Sequence, residues 1–374
     1  MSVSSTLLLY IIITAITTLF SYLSDRAVIG AKQKIRADKL LLTLSFLIHW
    51  IFYCFTNIGA DYVSYTRLIR TVTFSNRQGL ELGSTLVFII LRNVFRSPDI
   101  GVFVYKTIFL IIFYRCLWLR RDKQYLWLFV FTFNVLLYLN LFVVIRMTGA
   151  LALFTLSIIY LLDGKNGKAL IFIIAACFIH YTAILMIPAY LVYFIFKRNG
   201  HKLRVGVIFI AILVVALVVS RYANIYNFIM GAIPWLEQNK SYGLMGDYLG
   251  SGFAAYIIAI PLCLFALEIY FYSEDDILTN ISAIFTIYAV FWVFMGYRIN
   301  VLARMNYYSY FLSGICIPTY FRNKSLEGKG RLNADIGIFI FCIYLLLRYY
   351  LILHDISSAT SLARINSFSF YWPF

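Results

Sequence analysis

Residues 125–162 read YLWLFVFTFNVLLYLNLFVVIRMTGALALFTLSIIYLL, an apolar run broken by a single charge, Arg146. A helix needs about 20 apolar residues to cross a hydrocarbon core of roughly 30 Å, so the run is long enough for two crossings. Basic residues flank it on both sides: Arg120, Arg121 and Lys123 before it, Lys165 and Lys168 after it. Lys and Arg mark cytoplasmic loops. Both ends therefore belong inside, the run is a tight hairpin, and Arg146 lies at its outer turn.

The next apolar run, residues 169–196, obeys the same logic. Lys197, Arg198, Lys202 and Arg204 follow it, so it also enters and returns, with His180 at the turn. Each limb has only about 14 residues, roughly 21 Å of helix. That is short of the hydrocarbon thickness, so His180 is expected in a recess below the outer surface. Pro188 is placed to break the returning limb.

Loop charge orders the rest. The first span, about 6–23, has no cleavage site and is expected to be retained. Arg26, Lys32, Lys34, Arg36 and Lys39 put the following loop inside. The second span, about 40–56, goes out, and a polar stretch follows. Residues 83–95 are too short to span and end in Arg92 and Arg96, so they are predicted to form an amphipathic helix on the outer surface. Further spans are predicted near 100–119, 205–220, 253–272, 277–295, 305–320 and 334–353. An external loop is expected at about 221–252. The total is about twelve crossings in one transmembrane domain covering 1–374.

The composition agrees. The chain of 374 residues is 62% hydrophobic, 19% aromatic and 13% charged, far from soluble usage. Outer-membrane strands would give shorter, alternating segments. An all-α polytopic membrane protein is the expected class. The net charge of +16 is assigned to cytoplasmic anchors, because no basic soluble domain exists to hold nucleic acid. Cys54, Cys116, Cys177, Cys263, Cys316 and Cys342 all lie in apolar stretches without close pairs. Neither a disulfide framework nor a zinc site is expected.

With this topology, Asp61, Arg146, His180, Arg298 and Arg304 fall toward the outer face. Charge inside or beside hydrocarbon is costly and rarely idle. Arginines gathered there point to a phosphate or diphosphate, since a planar guanidinium donates two parallel hydrogen bonds to such an oxyanion. The competing reading of Arg146 is a snorkelling anchor. Arg298 and Arg304 flank a short outer turn and converge only if the helix is broken between them. His180 is a candidate base, proton shuttle or phosphate donor, or a core histidine with a backbone partner. Asp61 and Glu81 are candidate bases or arginine-orienting groups, with turn or capping roles as the alternative. No Walker A loop, G-x-G-x-x-G or H-E-x-x-H occurs, and no D-x-D lies on the outer side. No metal or cofactor is expected.

These positions resemble a known family. Gly59-Ala60-Asp61-Tyr62, Glu81, the lone Arg146, Phe178-Ile179-His180-Tyr181-Thr182-Ala183, and Arg298/Arg304 before Tyr307-Tyr308 resemble the EpsG-like branch of the Wzy-type polysaccharide (O-antigen) polymerases. The likeness runs from about residue 40 to 320, carried by single residues with apolar spacing. It implies a GT-C-like glycosyltransferase of the bacterial inner membrane, working at the outer face without a nucleotide sugar. Donor and acceptor would be undecaprenyl-diphosphate-linked oligosaccharides, and the carrier diphosphate would leave. Arg146, Arg298 and Arg304 would clamp the diphosphate; His180, Asp61 or Glu81 would serve proton transfer, with inversion. Membrane lipid, a flippase and a chain-length regulator are candidate partners.

Two other classes use similar residues. A lipid-linked glycan flippase would spread its charges through the membrane depth and show an inverted repeat. A membrane acyltransferase would need polar residues reaching a cytoplasmic acyl donor. Neither pattern is visible. A scaffold without catalysis leaves the arginines unexplained.

Overall fold

The computed structural model describes residues 2–29, 35–187, 190, 251–275, 277–282, 306–326, 331–357 and 365–373. The described residues form helices and no strand. Among the described residues, five helices are long and apolar enough to cross a membrane: Val3–Ala27, Ala37–Cys54, Pro98–Arg120, Ile145–Leu162 and Asn333–Ser357. The shorter apolar helices are Leu82–Phe95, Leu126–Leu141, Asn166–Ile179 and Ile260–Tyr272. Most of the external loop predicted at 221–252 lies outside the described residues, as do parts of several predicted spans.

The chain divides into two compact units, Met1–Ala183 with Phe321–Phe374, and Ile184–Tyr320. The first begins with α1 (Val3–Ile29) and α2 (Ile35–Cys54), which pack along each other. A short α3 (Ala60–Thr71) and α4 (Leu82–Phe95) follow. Then come α5 (Pro98–Arg120), α6 (Leu126–Phe133), a π-turn (Asn134–Tyr138) and α7 (Leu139–Leu141). Next, α8 (Ile145–Leu162) pairs with α9 (Asn166–Ile179), and α4 packs against both α5 and α9. In the second unit α10 (Ser251–Tyr272) is joined to residues 306–320 of α11 (Asn306–Leu326) by Tyr320, whose hydroxyl donates to Glu268 Oε1 at 3.0 Å. A last helix, α12 (Arg331–Ser357), returns to α1 and the π-turn in the first unit.

The break expected inside 125–162 is present, between Leu141 and Ile145. Asn140 carbonyl accepts from the N–H groups of both Val143 and Val144, which ends α7 and starts α8 at Ile145. Gly149 lets α8 close on α5, because a Cβ there would lie 2.7 Å from the Tyr105 hydroxyl and 2.8 Å from the Phe109 ring.

The helix predicted at 83–95 is α4, and its two sides differ in exposure. In α4 the inward positions are Ser84, Thr85, Phe88 and Leu91, whereas Leu82, Leu86, Ile90 and Val94 are exposed. Apart from the exposed Asn93, this outward stripe is aliphatic, which suits a lipid-facing side. The water-and-protein amphipathic helix is α3, with Tyr62, Tyr65 and Ile69 inward and Ser64, Arg67 and Arg70 outward. Three inward residues at helical spacing hide within a stretch that reads as polar.

A buried polar network holds α1, α2, α5 and the π-turn together. Asn134 Nδ2 donates to Thr17 Oγ1 at 2.8 Å, which leaves its Oδ1 to accept from His49 Nε2 at 2.7 Å. His49 Nδ1 is then an acceptor and takes the Tyr114 hydroxyl proton at 2.6 Å. The imidazole is thereby fixed as the neutral Nε2–H tautomer, with both ring nitrogens satisfied. π-turns cost helix stability and occur where a side chain must be re-aimed; here the re-aimed side chain is Asn134.

Candidate functional site

Glu81, Arg146 and Tyr181 meet where α4, α8 and α9 come together. Glu81 stands at the N-cap of α4 but makes no side-chain cap bond. Its carboxylate crosses to other elements instead. Oε2 accepts from Arg146 Nη1 at 2.9 Å, and Oε1 accepts from the Tyr181 backbone N–H at 2.9 Å. A left-handed pair, Gln78 and Gly79, turns the chain into α4 and delivers Glu81 to this position.

Arg146 sits in the first turn of α8 with its side chain 14% exposed. Tyr105 hydroxyl donates to its carbonyl at 3.1 Å, and Tyr65, Tyr105 and Tyr181 lie close enough to act on the guanidinium. Its Nε is buried with no hydrogen-bond partner. A buried unpaired donor on a cation costs on the order of 1–3 kcal/mol. The N-cap Val144 offers no side-chain acceptor, so the positive end of the helix dipole is added to the guanidinium.

His180 ends α9 in extended conformation, its own N–H donating to Ala176 carbonyl. The side chain is buried. Its Nδ1 accepts from Thr182 N–H at 3.2 Å and lies 2.9 Å from Thr182 Oγ1. A backbone N–H can only donate, so Nδ1 is the acceptor nitrogen and the neutral ring carries its proton on Nε2. This arrangement favours His180 as a donor to an oxyanion; a base would have to give up the Thr182 bond. Gly83 and Ser84 lock α4 onto this turn. A Cβ on Gly83 would lie 2.6 Å from Phe178 carbonyl oxygen, and Ser84 Oγ donates to Ile179 carbonyl at 2.5 Å.

Asp61 lies in the first turn of α3, near enough to Tyr53 to act on its phenol. Gly59, at φ 98°, enters α3 against the backbone of Phe142, where no side chain fits. The neighbouring Tyr62 donates to Asp99 Oδ1 at 2.8 Å. Burial and the Asp99 carboxylate push the Tyr62 phenol far up, so it stays protonated. Arg298 and Arg304 lie outside the described residues.

One buried cation escaped the sequence reading. Lys106, 1% exposed, donates from Nζ to the carbonyls of Tyr53 at 3.2 Å and Thr56 at 3.1 Å. The rings of Tyr53, Tyr62 and Phe142 lie 5.0, 5.3 and 6.0 Å from it. Among the described residues no carboxylate pairs with it. The signal was present in the sequence: Lys106 breaks the apolar run of α5 as Arg146 breaks that of α8.

The opposite end of the same unit gathers the basic clusters. Asp163 meets Lys123, Arg120 and Lys165 at 2.7, 3.5 and 3.7 Å, Arg121 reaches Asp38 at 4.0 Å, and Trp127 N–H donates to Asp25. Along α5, Tyr105 meets Arg146 near one end and Arg120 meets Asp163 at the other.

Among family models, that of the EpsG family matches residues 39–363. No curated protein and no solved structure matches significantly.

Proposed function

The chain belongs to the EpsG family, and from that premise we propose that it polymerises lipid-linked oligosaccharide repeat units at the outer face of a bacterial inner membrane. About twelve spans of the GT-C-like class are proposed, with Arg298 and Arg304 as further diphosphate-binding residues. The reaction moves a glycan from its undecaprenyl diphosphate carrier to a hydroxyl of a second lipid-linked unit. The bond from the anomeric carbon to the diphosphate oxygen breaks, the acceptor oxygen bonds that carbon, and its proton goes to a base.

The observation that carries this reading is the Arg146 guanidinium. Glu81 holds one nitrogen, while Nε remains unpartnered at the start of a helix. As the bond breaks, charge builds on the diphosphate. Donors aimed at that position stabilise the transition state more than the ground state. Arg146 and the Nε2–H of His180 supply such donors. Both Glu81 oxygens are already engaged, which makes it the group that orients Arg146 and the Tyr181 turn. Asp61, in the first turn of α3, is assigned as the base for the acceptor hydroxyl.

Deletion of the gene with complementation by variants tests the reading. Arg146→Ala should insert normally and leave glycan of one repeat unit on its carrier at the outer face, seen as loss of the polymer ladder on a gel. Loss of roughly one donor of this kind lowers turnover by about 100-fold or more. A full ladder from Arg146→Ala would defeat the reading, and single units trapped on the cytoplasmic face would point to a flippase instead.

A further inference from the structure

α5 places two neighbouring side chains on the two arms of the candidate site. Tyr105 donates to the Arg146 carbonyl, at the start of α8. Lys106 donates to the Tyr53 and Thr56 carbonyls, at the end of α2 and the turn that leads to Asp61. We infer that Lys106 is a positioning residue, whose buried ammonium fixes the Thr56–Tyr62 turn and so sets the Asp61 carboxylate relative to Arg146.

Three observations support this. First, the ammonium caps the negative end of a helix, where its charge is favourable and its hydrogen bonds fill carbonyls left unpaired by the helix. Second, the turn is held on its other sides by contacts that tolerate no slack. Gly59 lies against the Phe142 backbone, and Tyr62 is tied both to the Lys106 cation and to Asp99. Third, a buried charge without a carboxylate is a poor device for stability alone, since apolar residues of similar volume commonly serve as well. An intramembrane lysine in such surroundings is better explained by a geometric task at a reacting group.

Lys106 touches no reacting atom in this scheme. Its ammonium lies in a cage of two carbonyls and three rings, and it acts through Asp61. The activity arm of the test rests on the polymerase reading; the distance arm does not.

The distance arm uses spin labels at Val63 and Leu86, both exposed, one on the Asp61 helix and one on the Glu81 helix. Cys177, Cys263 and Cys342 are first replaced, and the background is checked for activity. In lipid nanodiscs, Lys106→Met should broaden or shift the label distance beyond the wild-type distribution, with the thermal midpoint retained. An unchanged distribution overturns the inference whatever the activity.

The activity arm uses the lipid-linked units that accumulate in the deletion strain as substrate. Lys106→Met should lower kcat at least tenfold with KM within twofold. On an Asp61→Asn background it should add less than threefold, because both changes remove one function. Wild-type kcat in Lys106→Met, or losses that multiply with those of Asp61→Asn, overturn the inference. Lys106→Gln, which keeps a donor without the charge, replaces Lys106→Met if the latter is not recovered from membranes, and the same outcomes apply. An intact ladder from Arg146→Ala would sink the polymerase reading while leaving the distance result standing.

Discussion

Thr182 N–H occupies Nδ1 of His180, so the ring can act on a substrate only as a donor through its Nε2–H. A donor can be replaced by another donor, whereas a base cannot. His180→Gln should therefore retain part of the turnover that His180→Ala loses, compared as initial polymerisation rates. Equal loss in both would return the base role to the ring. Glu81→Gln leaves the Tyr181 contact possible and removes the charge opposite Arg146. The expected result is misplaced Arg146 and a turnover loss of about 10–100-fold, with a smaller change in stability, as for other groups that orient a charged ligand. Arg146 and His180 were legible as lone polar residues in apolar runs. Glu81 was legible as a group that could orient an arginine, but not which one: it is 65 positions from Arg146 and 100 from Tyr181, and nothing in local sequence joins them. Lys106 was legible by the same rule as Arg146 and was absorbed into a span whose flanks drew the attention.

At the scale of elements, the junction of α4 with α9 controls the site. Glu81 and His180 lie at the two helix ends it joins, and Gly83 permits the contact. Gly83→Val must push the helices apart, since its Cβ would meet backbone and not a movable side chain. Turnover should collapse and the thermal midpoint should fall together. Asn134→Ala is a different case, remote from the site. It leaves His49 Nε2–H and Thr17 without their partner, at a cost of about 1–3 kcal/mol. Thermal unfolding should show that loss while polymer length stays near normal at permissive temperature. The break before Arg146 followed from run length. The exposed aliphatic side of α4 did not follow from the arginines at its end. Period and composition describe a helix; which face meets lipid depends on neighbours far away in the chain.

On the scale of the whole chain, polar groups gather at the two ends of the first unit, anchors at one and the Arg146 site at the other. Placement of those ends across a bilayer is testable by labelling. A cysteine at Val63 should react with an impermeant maleimide in intact spheroplasts, and one at the exposed Asp122 only after permeabilisation. The reverse pattern would put the Arg146 end in the cytosol and remove the substrate proposed for it. Residues 365–373 also belong to this scale. They run across α1, α2 and α3: Tyr10 hydroxyl donates to Ile365 carbonyl, Phe368 N–H to Thr6 Oγ1, and Tyr371 N–H to Phe55 carbonyl, while Trp372 stacks on Phe55. Tyr10 and Ile365 are 355 positions apart. At ribosomal speeds of about 5–20 residues per second, α1 waits roughly 20–70 s in the bilayer for that clasp. Until residues 365–373 are made, Tyr10, Thr6 and the Phe55 carbonyl lack these partners, and the seam between the first two helices stays open.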